Sequence, residues 1–142
     1  MTLEEIKYNS PKYHKSVELR YKILREPLGM TYSEEFLKAE KNQHHLGLFI
    51  ENQIVAILLL QDLGNKLIKM RQFAVDDQLQ GKGFGTKLVK FSEKIIKEKG
   101  FNKIELNARQ TAVRFYEKLN YQIVSDEFFE VGIPHYKMEK EL

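Results

Sequence analysis

The sequence contains no cysteine, which excludes disulfides, thiolate metal ligands and a cysteine nucleophile, so any group transfer must proceed without a cysteine-bound intermediate. It has no long apolar run either. The longest strictly apolar stretch, Ile54 to Leu60, falls far short of the about 20 residues a membrane-spanning helix needs, and Met1 to Ser10 is charged rather than signal-like. A cytoplasmic protein with no membrane partner is expected. Internal repeats, linkers and low-complexity segments are absent. The formal net charge is only +3, and the lysines are spread along the chain rather than gathered into a stripe, so no nucleic-acid partner is expected. His44 and His45 have no carboxylate or cysteine at ligand spacing, so the pair reads as a surface turn and no metal site is expected.

What is present suits one α/β domain over residues 1–142. At 42% hydrophobic and 30% charged, the chain can bury roughly two-thirds of its unfolded surface around a core. Leu3 to Tyr8 reads as a strand. Ser10 and Pro11 supply a helix cap and first-turn proline, and Val17, Tyr21 and Leu24 continue a helix that Pro27 and Gly29 end. Ser33, followed by Glu34 and Glu35, caps a second helix ending near Lys41. Leu46–Ile50, Ile54–Leu60 and Leu67–Val75 predict three consecutive antiparallel strands. Phe84, Leu88, Phe91 and Ile95 predict a long amphipathic helix that Gly100 stops. Ile104–Leu106 predicts a strand, Ala108–Leu119 a helix, and Tyr121–Phe129 with Tyr136–Met138 the closing strands. This order implies a mixed, mostly antiparallel sheet of six to seven strands with helices on both faces, and a parallel crossover from Leu67 to Leu106.

The segment Val75 to Thr86, VDDQLQGKGFGT, joins strand to helix through alternating Gly81, Gly83 and Gly85. Such glycines permit positive φ angles and leave amides open to a ligand at the unpaired, dipole-positive start of a helix, a suitable seat for a pyrophosphate. Two rival motifs fit poorly. A dinucleotide fingerprint requires Gly-x-Gly-x-x-Gly directly after the first strand; here the third glycine comes one residue early and a meander precedes the unit, although Glu105 lies near the acidic position. No Gly-Lys-Ser/Thr follows for a Walker loop.

The second informative segment is Asn107 to Tyr121, NARQTAVRFYEKLNY, where Ala112, Phe115, Tyr116 and Leu119 share one helical stripe. Alone, that stripe reads as a core face with Tyr116 buried and hydrogen-bonded. Together with the glycine loop it resembles the GNAT superfamily of N-acetyltransferases, which carry Gln/Arg-x-x-Gly-x-Gly/Ala before the third helix and Ala-x-x-Phe/Leu-Tyr-Glu-Lys-x-Gly-Tyr/Phe in the fourth. The first motif is met by Gln80, Gly83 and Gly85, the second by Ala112, Phe115, Tyr116, Glu117, Lys118 and Tyr121. Asn120 replaces the usual glycine while still tolerating the left-handed conformation, and Arg109 stands where many members place an asparagine near the cofactor.

The resemblance implies acetyl transfer from acetyl-CoA to a primary amine of a small molecule or protein, by direct attack within a ternary complex. Backbone groups of Phe73, Ala74 and Val75 would pair with the pantetheine arm, and Gln80, Gly81, Lys82, Gly83, Phe84, Gly85 and Thr86 would bind the pyrophosphate, with Asn107, Ala112 and Phe115 also on the cofactor side. Tyr116 would give a proton to the departing sulfur. A phenol near pKa 10 and a thiol near 8.5 are close enough for that transfer while the acid stays protonated at neutral pH. No base for the acceptor ammonium is identified, because the strand before the loop reads Lys69, Met70, Arg71, Gln72 where members often carry a glutamate; Glu35, Glu51 and Glu130 are candidate substitutes. The ending EVGIPHYKMEK resembles a branch of the superfamily with unassigned substrates, and His135 is a candidate for the acceptor side. A non-catalytic acyl-CoA-binding module is the alternative. A homodimer is compatible with either.

Overall fold

The computed structural model describes residues 1–142. Strand β1, Thr2–Ile6, leads into helix α1, Pro11–Arg20, whose N-cap Ser10 accepts a hydrogen bond from the Tyr13 amide. The helical path continues through a π turn at Tyr21–Arg25 and a 3-10 turn at Glu26–Leu28, then stops at Gly29 with φ +67°. Proline and a left-handed glycine thus end it where the sequence indicates. Helix α2 is only Glu34–Lys38, capped by Ser33. Strands β2, His44–Ile50, β3, Gln53–Gly64, and β4, Leu67–Val75, form the antiparallel meander. A 3-10 turn at Asp77–Leu79 precedes α3, Phe84–Glu98. Strand β5, Lys103–Arg109, a 3-10 turn and α4, Val113–Glu117, follow, then β6, Gln122–Ile123, β7, Phe128–Glu130, and β8, Ile133–Glu141. The main path of the sheet is β1-β2-β3-β4-β5-β8-β6, with β7 on β8.

Eight strands form the sheet, one more than expected, because the predicted Tyr121–Phe129 strand is interrupted into β6 and β7. The predicted Tyr136–Met138 strand lengthens into β8. The expected helix over Ala108–Leu119 shrinks to α4 because β8 pairs with β5 as far as Arg109; the backbone hydrogen bonds of that ladder displace the local helical preference. His44 and His45 lie in β2, correcting the surface-turn reading. His45 is buried and His44 bonds Glu5 of β1.

The two faces of the sheet carry different cores. Leu46, Leu48, Leu58, Leu60, Ile68, Met70, Ile104, Leu106 and Met138 pack with Leu88, Val89 and Ile96 of α3 and Tyr116 of α4. On the opposite face, Phe49, Ile57, Leu59 and Ala74 meet Tyr13 and Leu19 of α1. The α3 stripe therefore centres on Leu88, Val89, Ser92 and Ile96, with Phe84, Phe91 and Ile95 at its partly buried margins.

Candidate active site

β4 and β5 form the one parallel pair of the sheet, and that pairing stops at Met70↔Leu106. Beyond that point the two strands separate. Antiparallel pairing of β4 with β3 continues, but Gln72 and Phe73 together oppose Leu58, between the pairs Leu59↔Arg71 and Ile57↔Ala74. Gln72 takes φ +53° at this bulge. The extra residue re-aims the strand, so Phe73 and Val75 join the α3 side while Ala74 joins the α1 side.

Gln72 is held from the α1 side. Its Oε1 accepts from Tyr32 and from Arg20, whose Nε and Nη2 lie 3.3 and 3.2 Å away. Arg20 is fully buried and also donates to Glu40 at 2.8 and 3.1 Å; Arg71 donates to the same carboxylate at 2.9 Å and to Gln43 at 2.7 Å. One guanidinium nitrogen of Arg20, Nη1, has no partner. None of these partners stands out in the sequence, because a bulge is set by what packs on both sides of the strand.

Between the separated strands lies a cavity of about 770 Å³, lined by Phe73, Ala74, Val75, Gln80, Gly81, Gly83, Phe84, Gly85, Thr86, Asn107, Ala112, Phe115 and Tyr116 among the expected site residues. Of that set only Lys82 is not on the wall. Gly81 and Gly83 have φ +78° and +85°, and no heavy atom lies within 4 Å of where a Cβ would stand on either, so open space borders the loop there. Gly85 is different from expectation: it lies inside α3 without a positive φ, and a Cβ there would meet Phe73 Cζ at 3.0 Å and Val75 Cγ2 at 3.3 Å. Its role is close approach of helix to strand. Gln80 turns its amide back to the Val75 carbonyl at 3.0 Å, tying the loop to β4. These features fit a thioester cofactor: a slot with unpaired strand edges, and a glycine loop opening a helix whose first N–H groups lack intrahelical partners.

Tyr116 is 6% exposed and packs edge-on to Phe115 and Tyr121, at centroid separations of 5.1 and 5.6 Å. Its hydroxyl has no hydrogen-bond partner in the protein and is not among the enclosed orphaned atoms, so it remains open to the cavity. That departs from a hydrogen-bonded core tyrosine; the neighbouring Tyr121, bonded to Glu93 at 2.8 Å, takes that part. Burial pushes the Tyr116 phenol above its ordinary 10. Asn120, at φ 72°, keeps the left-handed turn that a glycine would provide.

At the other end, Arg25, Met30, Phe36, Lys69, Arg71, Gln72, Arg109, Glu130 and His135 line the wall. Arg109 sits opposite His135 in the β5–β8 ladder. His135 Nδ1 lies 2.7 Å from the Ile133 carbonyl, and because a carbonyl only accepts, Nδ1 carries the proton. Nε2 is then bare in the neutral ring and 3.5 Å from Glu130. Glu35 and Glu51 are not on the wall, whereas Glu130 is. No group of three or more His, Cys, Asp or Glu side chains is placed to hold a metal ion, and no helix is long and apolar enough to cross a membrane.

The profile of the acetyltransferase (GNAT) domain matches residues 14–142. YyaT of Bacillus subtilis (strain 168) is 32% identical over 132 residues, covering 91% of this chain and 88% of YyaT. In fold, ElaA of Escherichia coli matches with a TM-score of 0.86 at 16% identity, over 99% of this chain and 100% of ElaA. A GNAT family acetyltransferase from Elizabethkingia anophelis, solved with acetyl-CoA bound, matches with a TM-score of 0.77 at 17% identity, over 99% and 97% of the two chains. The profile match over nearly the whole chain, with the YyaT identity, shows that this chain belongs to the GNAT acetyltransferase family.

Proposed function

We propose that the chain transfers the acetyl group of acetyl-CoA to a primary amine of a small molecule or protein, by direct attack in a ternary complex, in the cytoplasm. The observation that carries this reading is the slot where β4 leaves β5, which connects the α3 glycine loop to the free hydroxyl of Tyr116. Acetyl-CoA supplies an activated acyl thioester. The backbone of Phe73, Ala74 and Val75, on the edge that β4 presents after its pairing with β5 ends, would hold its arm, and amides from Gln80 to Thr86 its pyrophosphate, each charge-assisted bond contributing on the order of 1.5–3 kcal/mol.

Tyr116 is the proton donor to sulfur in this reading. Its raised pKa keeps it protonated throughout the neutral range, and the same burial raises the proton affinity of a thiolate beside it. On the acceptor side the bare Nε2 of His135 is the available base, and Glu130 would stabilise the imidazolium that forms. Asn107 steadies Glu130 from 3.4 Å.

Replacing Gly83 by Val tests the phosphate seat. A β-branched residue at φ +85° is strained and would fill the open space before α3. Calorimetry should find CoA binding lost in a folded Gly83→Val protein; unchanged binding would refute the assignment.

A further inference from the structure

The acceptor end of the cavity is strongly unbalanced in charge. Its wall carries Arg25, Lys69, Arg71 and Arg109, against a single carboxylate, Glu130. Arg71 is paired behind the wall with Glu40, a carboxylate it shares with Arg20. The other three cations have no carboxylate partner, although each is half-buried. Arg25 stacks on Tyr32 and Phe36 at 4.5 and 5.0 Å, which holds the guanidinium plane in place while leaving most of its donors free. Lys69 stands beside Glu105 in the β4–β5 ladder, but Glu105 is 3.4 Å from Lys137 instead. Arg109 faces His135 across β8 without bonding it.

Unpaired cations gathered on a concave wall focus a positive potential that favours an anion arriving with the ligand. The cofactor's pyrophosphate does not answer this need in the reading above. Lys69 lies six residues back along β4 from Val75, about 20 Å at ~3.3 Å per residue, on the opposite side of the bulge from the glycine loop. We infer that the acceptor is an amine that also carries an anion, a carboxylate or a phosphate monoester, which Arg25, Lys69 and Arg109 receive while the amino group meets His135 and Glu130. This specificity rests on the acetyl-transfer reading.

The test offers acetyl-CoA and a panel of matched amines to the full chain: α- and ω-amino acids such as β-alanine, and O-phosphoethanolamine, beside ethanolamine, amino-acid amides and putrescine. Amines that carry an anion should be acetylated with kcat/KM about 10- to 100-fold above counterparts that lack one, the range expected from one charge-assisted hydrogen bond. The β-alanine and O-phosphoethanolamine arms separate carboxylate from phosphate recognition. In Lys69→Gln and Arg109→Gln the ratio of kcat/KM for acceptors with an anion to acceptors without one should fall by about 10-fold, with CoA affinity from calorimetry reporting whether each variant folded. Preference for putrescine or ethanolamine, no acetylation of any anionic amine by protein that binds acetyl-CoA, or an unchanged ratio in both variants would overturn the inference. Failure to bind acetyl-CoA at all would instead remove the acetyl-transfer reading on which it rests.

Discussion

At the scale of single residues, Tyr116 separates chemistry from packing. Its ring contacts Phe73, Phe115 and Tyr121, while its hydroxyl bonds nothing in the protein. Tyr116→Phe therefore keeps the packing and deletes only the proton. We expect kcat to fall by about 10²- to 10⁴-fold with little change in Tm, and by the same factor at every pH in the neutral range because the buried phenol does not ionise there. Parental turnover in the variant would make Tyr116 a spectator. His45 allows a test of stability. Its Nε2 donates to the Glu40 carbonyl at 2.9 Å, and its buried Nδ1 has no partner. Burial holds its pKa below the ordinary 6.5, so the unfolded chain binds the proton more readily. The stability from this group is fully present above 6.5 and is lost as pH falls from there through the folded value. Urea midpoints of the parent should drop more than those of His45→Gln between about pH 7.5 and 5.5; parallel curves would contradict this.

At the scale of elements, the bulge in β4 depends on a network contributed by Arg20 of α1 and by Tyr32, Glu40 and Gln43 in the segments flanking α2. Glu40 is nearly fully buried between Arg20 and Arg71, and removing one partner of such a cluster leaves uncompensated charge. Glu40→Gln should cost about 3–5 kcal/mol in denaturant unfolding, and a loss below about 1 kcal/mol would indicate that water reaches the pair. Gly85 links α3 to the same strand. Alanine there raises helix propensity by up to about 1 kcal/mol, yet its methyl presses on Phe73, which stacks on Phe115 at 5.7 Å in the cavity wall. Gly85→Ala should weaken CoA binding more than it lowers stability; calorimetry and thermal unfolding on one sample compare the two. Elements with strong local signals are legible in the sequence. Ser10-Pro11 begins α1, Gly29 ends its helical path, and the glycine loop opens α3. The short length of α4 is not, because the pairing of β5 with β8 is a long-range event that local periodicity does not report.

At the scale of the whole molecule, the wall assigned to the cofactor is legible in the sequence, whereas on the wall assigned to the acceptor only His135 and Glu130 stand out there. Gly81, Gly83, Phe115 and Tyr116 belong to contiguous motifs whose spacing reports a turn and a helix stripe, and all line one cavity. Arg25, Lys69, Arg109 and His135 come from four elements far apart in the chain, and only the sheet order β4-β5-β8, with α1 across one face, gathers them. By itself the sequence determined what short-range sterics and hydrogen bonding decide: the caps, the left-handed turns at Gly83 and Asn120, the apolar faces and the absence of thiol chemistry. Tertiary structure alone decided the bulge at Gln72, the parting of β4 from β5 and the burial of His45. Each depends on which strand or helix supplies the opposing backbone and side-chain partners, and those partners are distant in sequence.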